Sequence, residues 1–154
     1  MSEQRKHLKR LSRVWVDNPV YFVTCCVKKR RSLLANDTVH TILAAEWKRA
    51  LDQHGWAIGS YIIMPEHAHF FGRPTYDAKT LSQFMEKWKE WTSKKITRHL
   101  GIRAPLWQKG FFDHVIRSDE SYSEKWAYVE RNPVRADLAN EPEDWQYRGH
   151  IHFK

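Results

Sequence analysis

Trp56–Gly72, WAIGSYIIMPEHAHFFG, holds two apolar runs on either side of Pro65-Glu66. The first, Trp56–Met64, is rich in β-branched and aromatic residues and reads as a strand. Pro65-Glu66 is turn chemistry, and His67–Gly72 reads as the strand that comes back. Upstream, His54-Gly55 ends a helix that Asp37 can cap. Its apolar positions Val39, Ile42, Leu43, Trp47, Ala50 and Leu51 keep the three-and-four spacing of one buried face. Before that helix, Val20–Val27 (VYFVTCCV) is a strand signal ended by the basic run Lys28–Arg31.

Downstream, Thr80 and Gln83 form a capping box. The helix it opens carries Leu81, Phe84, Met85, Trp88 and Ile96 and stops near Gly101. Phe111–Ile116 (FFDHVI) reads as a fourth strand. Ser121 and Glu124 make a second capping box for a helix running through Trp126, Tyr128 and Val129 toward Asn132-Pro133, with a short helical turn beyond. The order strand–helix–strand–strand–helix–strand, then helix, predicts an α+β, ferredoxin-like fold. In it an antiparallel sheet carries helices on one face, and a C-terminal helix bears Tyr128. One domain over 1–154 is expected, with a basic arm at 1–19 and a polar, aromatic tail at 139–154.

The 154 residues are 42% hydrophobic, with only six Gly and six Pro, which excludes a disordered or collagen-like chain. Lys+Arg outnumber Asp+Glu 26 to 18, a surplus of +8 that favours a polyanionic partner, nucleic acid before an anionic membrane. Cys25 and Cys26 are adjacent in an extended run, so no disulfide framework follows from them. Without a signal peptide or a membrane-length apolar stretch, a cytoplasmic protein is expected.

His67 and His69 are two apart, so on a strand both face one way, about 6.6 Å apart along the chain. Two imidazoles so placed can share one divalent metal. Glu66 is expected to point away from them. The same spacing also arises by chance in a chain with nine histidines. Tyr128 and Asn132 are four apart, one helical turn, and would share a helix face. Packing of Tyr128 and helix capping by Asn132 are the plainer explanations of these two residues.

Three motifs together resemble the HUH-type single-tyrosine transposases, and within them the REP-associated tyrosine transposases of bacteria. They are YIIMPEHAHFF (Tyr61–Phe71), LWQKGFFDHVIR (Leu106–Arg117) and YVERNPVRADL (Tyr128–Leu138), in the family's order over about Tyr21 to Leu138. The resemblance implies that His67 and His69 hold Mg²⁺ or Mn²⁺ and that Tyr128 is the nucleophile. Asn132 falls where the family places a polar third ligand, often Gln, and is one methylene shorter. Ala68 replaces the usual bulky residue between the histidines.

The activity implied is cleavage and rejoining of single-stranded or hairpin-forming repeat DNA by transesterification through a 5′-phosphotyrosine, in a monomer or homodimer. Two other readings stay open: a non-catalytic DNA- or RNA-binding domain, and a metal-dependent nuclease that hydrolyses and releases its product. Candidate DNA contacts are Arg10 and Arg13 of the arm, Lys28, Lys29, Arg30 and Arg31, Lys94 and Lys95, and Arg117, Arg131 and Arg135. Trp88, Trp91 and Trp107 offer stacking surfaces for unpaired bases.

Overall fold

The computed structural model describes residues 19–154, so positions 1–18 of the basic arm, Arg10 and Arg13 among them, lie outside the described residues. Strand β1 (Val20–Cys26) leads through a 3-10 turn at Lys28–Arg30 to helix α1 (Asp37–His54). Strands β2 (Trp56–Ile63) and β3 (His67–Pro74) follow, then helix α2 (Leu81–Leu100) and strand β4 (Phe112–Ile116). Helix α3 (Asp119–Val129), the short helix α4 (Asn132–Arg135), a 3-10 turn at Pro142–Asp144 and strand β5 (Arg148–His150) complete the chain.

The five strands lie in the order β4-β1-β3-β2-β5, and each adjacent pair is antiparallel. The first four strands have the predicted ferredoxin-like order, with β5 added at the β2 edge. This addition was not legible: three residues are too few for a period-two pattern. Its signal lies instead in pairing, with Tyr61 opposite Gly149 and Ile62 opposite Arg148.

Helices α1 and α2 cover one face of the sheet through an aromatic core. Trp47 stacks on Trp88 at 5.5 Å, Trp88 meets Trp107 at 5.4 Å, and Trp56 stacks on Phe84 at 5.6 Å. Helix α3 packs on the opposite face, where Tyr122 and Val129 join Val20, Phe22, Ile62, Met64, Phe71 and Ile116. A bulge in β2 between Ile58 and Tyr61 locks it there. The bulge frees the Ser60 N–H from the ladder, and that N–H donates to the Tyr122 hydroxyl at 2.9 Å. Gly59 is needed beside it, since a Cβ there would lie 2.5 Å from the Phe153 ring.

Three helix ends differ from their sequence reading. Asn36, not Asp37, caps α1, its side-chain oxygen accepting from the Val39 N–H at 3.0 Å. Ser118 caps α3, accepting from the Ser121 N–H at 3.1 Å, so the helix starts before the Ser121/Glu124 box. The third is the break between Tyr128 and Asn132. α3 ends at Val129, Arg131 leaves helical geometry (φ −89°, ψ 0°), and α4 begins at Asn132. Pro133 explains it: a continuous helix would lack its N–H and clash with the preceding turn. The Thr80–Gln83 capping box of α2 is present as read.

Candidate active site

The sheet places His67 and His69 on the α3 face. In the register of β1 and β3, Cys26 lies opposite His67, Thr24 opposite His69 and Phe22 opposite Phe71. Phe22 and Phe71 belong to the cluster under α3, while Ala68, Phe70, Val23 and Cys25 point to α1 and α2. The turn before His67 is pinned by the Val27 N–H on the Glu66 carbonyl (2.9 Å) and the Leu33 N–H on the Pro65 carbonyl (2.9 Å).

The two imidazole rings meet edge to face, 4.6 Å between centroids. Each has its Nδ1 engaged. His67 Nδ1 lies 2.7 Å from Glu66 Oε1, and His69 Nδ1 lies 2.8 Å from Thr24 Oγ1. Glu66 therefore does not point away, as the sequence suggested; it sits in the turn, where strand alternation does not apply, and returns to its neighbour. With the proton on Nδ1, each Nε2 lone pair is left for a cation.

Burial lowers the His69 pKa to about 3, with the nearby His67, Lys125 and Arg30 charges adding to it. Burial lowers His67 as well, opposed by its bond to Glu66. Both rings are thus neutral at pH 7, the form that ligates. The paired Nδ1 partners, the close rings and the neutral state fit a divalent cation. Among the described residues no group of three or more His, Cys, Asp or Glu is disposed to hold a metal, so a third protein donor would be of another kind.

Helix α3 brings Tyr128 to the same side of the sheet. The ring is 62% exposed, and the Arg135 guanidinium lies 4.0 Å from its centroid. Arg135 also donates to Asn132 Oδ1. Tyr128 and Asn132 are thus joined through Arg135 rather than by a shared helix face. One turn before Tyr128, Lys125 Nζ lies 4.8 Å from the Phe22 ring centroid, and Phe22 stacks on His69 at 5.0 Å. Sequence reasoning passed over Lys125, although its spacing of three from Tyr128 would have marked it. Thr24 carried no signal in sequence, because it meets His69 only through strand pairing.

Three other tyrosines are differently placed. The Tyr61 hydroxyl is 2.7 Å from His40 Nε2, on the α1 side, and the buried Tyr122 hydroxyl accepts from Ser60. Burial raises the pKa of both. Tyr76 follows β3 at the end away from the histidines.

The basic residues divide by face. Lys94 and Lys95 lie on α2, across the sheet from the histidines; Lys95 pairs with buried Glu46, and Lys94 with Glu90 at 3.4 Å. Trp88 and Trp107 are buried and Trp91 is 48% exposed on α2, so among the described residues the exposed aromatics near the histidine face are Tyr128 and the edge-strand Phe112. Lys28, Lys29 and Arg31 line a groove with Arg103, whereas Arg30 Nη1 turns back to Cys26 Sγ at 2.7 Å. Arg117 follows β4 and Arg131 caps α4, both exposed.

Residues 16–132 match the family described as "Transposase IS200 like". A REP-associated tyrosine transposase of Escherichia coli K12 is 26% identical over 152 residues, covering 96% of this chain and 81% of its own. The structure of a REP-associated tyrosine transposase bound to a REP hairpin is similar with a TM-score of 0.66 and 25% identity, over 84% of this chain and 75% of that one. A protein from Deinococcus radiodurans R1 shares the fold with a TM-score of 0.56 at 17% identity, over 75% and 92%.

Proposed function

Because the chain belongs to the IS200-like transposase family, we propose that it cleaves and rejoins single-stranded DNA at hairpin-forming repeats, with Tyr128 as nucleophile. One observation carries this reading: the histidine pair and the helix bearing Tyr128 lie on the same face of the sheet, linked through Phe22, which touches both His69 and Lys125. Hairpin DNA as substrate is supported by the relative bound to a REP hairpin.

The Tyr128 hydroxyl gives up its proton and attacks the scissile phosphorus, the P–O3′ bond breaks, and the leaving 3′ oxygen takes up a proton. The products are a 5′-phosphotyrosine and a free 3′-OH, which can attack back or be replaced by another strand's 3′-OH. Exposure of the Tyr128 ring lets an unpaired strand reach it. Glu66 and Thr24 hold the imidazoles by Nδ1. A cation of the Mg²⁺ or Mn²⁺ class, held by His67 and His69, supplies Lewis-acid polarisation of the phosphate when bound. Asn132 is the candidate third donor, and to serve it must release Arg135 from Oδ1.

The test is Tyr128→Phe with a single-stranded repeat hairpin and Mn²⁺. The change removes one hydroxyl from an exposed ring, so the fold and DNA affinity stay within a few-fold of wild type while cleavage and the covalent adduct vanish. An adduct that persists in the variant contradicts the assignment. DNA binding without cleavage in wild type would favour a binding domain, and product release without an adduct a hydrolase.

A further inference from the structure

Lys125 and Arg30 approach the histidine pair from two different elements. Lys125 comes from α3, half-buried, with its ammonium above the Phe22 ring that stacks on His69. Arg30 comes from the turn after β1, where its φ is positive (55°), and its guanidinium reaches back to the Sγ of Cys26, the residue opposite His67 in the sheet. Left-handed geometry is unfavourable for a residue with a Cβ, so this backward turn is an unusual feature. Among the described residues neither cation forms an ion pair, and the nearby carboxylate, Glu66, is engaged with His67. Two positive charges beside the histidine pair, one of them half-buried and without an acid among the described residues, form a site that an anion completes.

Resting on the function proposed above, we infer that Lys125 and Arg30 seat the scissile phosphate, each meeting its non-bridging oxygens from one side of the histidine pair. The phosphate carries one negative charge in the ground state, and attack by Tyr128 adds charge to the same oxygens. Fixed cations aimed there stabilise the transition state more than the ground state. Because Lys125 precedes Tyr128 by three residues on one helix, the same contact sets the phosphorus in reach of the phenol. The basic run after β1 thereby splits into two roles: Arg30 at the reacting group, Lys28, Lys29 and Arg31 on the strand beyond.

The test compares Lys125→Met, Lys125→Arg, Arg30→Gln and the Lys125→Met/Arg30→Gln double variant with wild type and Tyr128→Phe. Two quantities are read: the single-turnover rate of adduct formation at saturating hairpin DNA, and Mn²⁺ affinity without DNA. Lys125→Met and Arg30→Gln are each expected to slow adduct formation by about 100-fold, the scale of one lost transition-state contact, with DNA affinity within a few-fold. Lys125→Arg, which keeps the charge, restores most of the rate. Mn²⁺ affinity stays level or rises in the double variant, because two like charges have left the site; loss of a merely structural support would lower it. An unchanged rate in the double variant, a fall in Mn²⁺ affinity, or no rescue by Lys125→Arg overturns the inference. Wild-type rates in these variants alongside a dead Tyr128→Phe would remove the phosphate seat and leave the nucleophile standing. A Tyr128→Phe enzyme that still forms adduct would remove the proposed function, and the Mn²⁺ titration would still decide whether the two charges face the pair.

Discussion

Glu66 and Thr24 determine which nitrogen of each imidazole is left over. Removing either frees a ring to turn or change tautomer, so Glu66→Ala and Thr24→Val are each expected to weaken Mn²⁺ binding by about 10- to 100-fold. His67→Ala and His69→Ala should abolish it, while His114→Ala, on the edge strand β4, should leave it intact. Calorimetric titration of the five variants checks the set, and undiminished binding in the histidine variants would reject the site. The depressed His69 pKa also has a sign in stability. Well above pH 6.5 the ring is neutral in both folded and unfolded chains and contributes no pH dependence. As the pH falls from 6.5 toward 3 the unfolded chain takes up a proton that the folded one refuses, and stability drops through that window. His40, His54, His67 and His152 are lowered too, so the His69 share is the difference between wild type and His69→Gln in metal-free denaturation. Equal slopes from pH 6.5 to 4 would contradict it.

Helix α3 bears Tyr128 and is anchored through Tyr122 and Val129. Its first turn depends on Ser118, whose hydroxyl accepts from Ser121 N–H. Ser118→Ala should cost about 1 kcal/mol. Chemical denaturation would show this, and local hydrogen exchange should rise across residues 119–122; a change confined to another element would refute the cap. The elements that sequence revealed were those with strong repeating patterns: the apolar runs of β1, β2 and β3, the amphipathic faces of α1 and α2, and the Thr80–Gln83 box. What it missed depends on contacts distant in sequence or on competition between neighbours. Ser118 and Ser121 are both plausible caps, and only the packing of Tyr122 and Val129 chooses between them. Tyr128 and Asn132 have helical spacing, but Pro133 breaks the helix between them. Thr24 and Glu66 meet the histidines through strand register and a turn, neither of which leaves a mark in local sequence.

Across the whole molecule, the two faces of one sheet hold different tasks. The face under α1 and α2 is an aromatic core, and it draws Lys95 into an ion pair with Glu46. The other face carries the histidines, Lys125 and the helix of Tyr128. Among the described residues no helix is long and apolar enough to cross a membrane. If Lys28, Lys29 and Arg31 grip the DNA strand, replacing all three by Ala should flatten the salt dependence of single-strand affinity by about 2 in log–log slope, at roughly 0.7 per phosphate. Hairpin and scrambled strands should weaken alike, because phosphate contacts position without specifying. An unchanged slope would retire that groove. The most direct measurement of all concerns where the DNA becomes attached. Wild-type protein is incubated with single-stranded repeat hairpin and Mn²⁺, digested, and the phosphopeptide located by mass spectrometry. The account predicts a 5′-phosphate ester on Tyr128; attachment at Tyr61, Tyr76 or Tyr122, or cleavage that leaves no DNA on the protein, would contradict it.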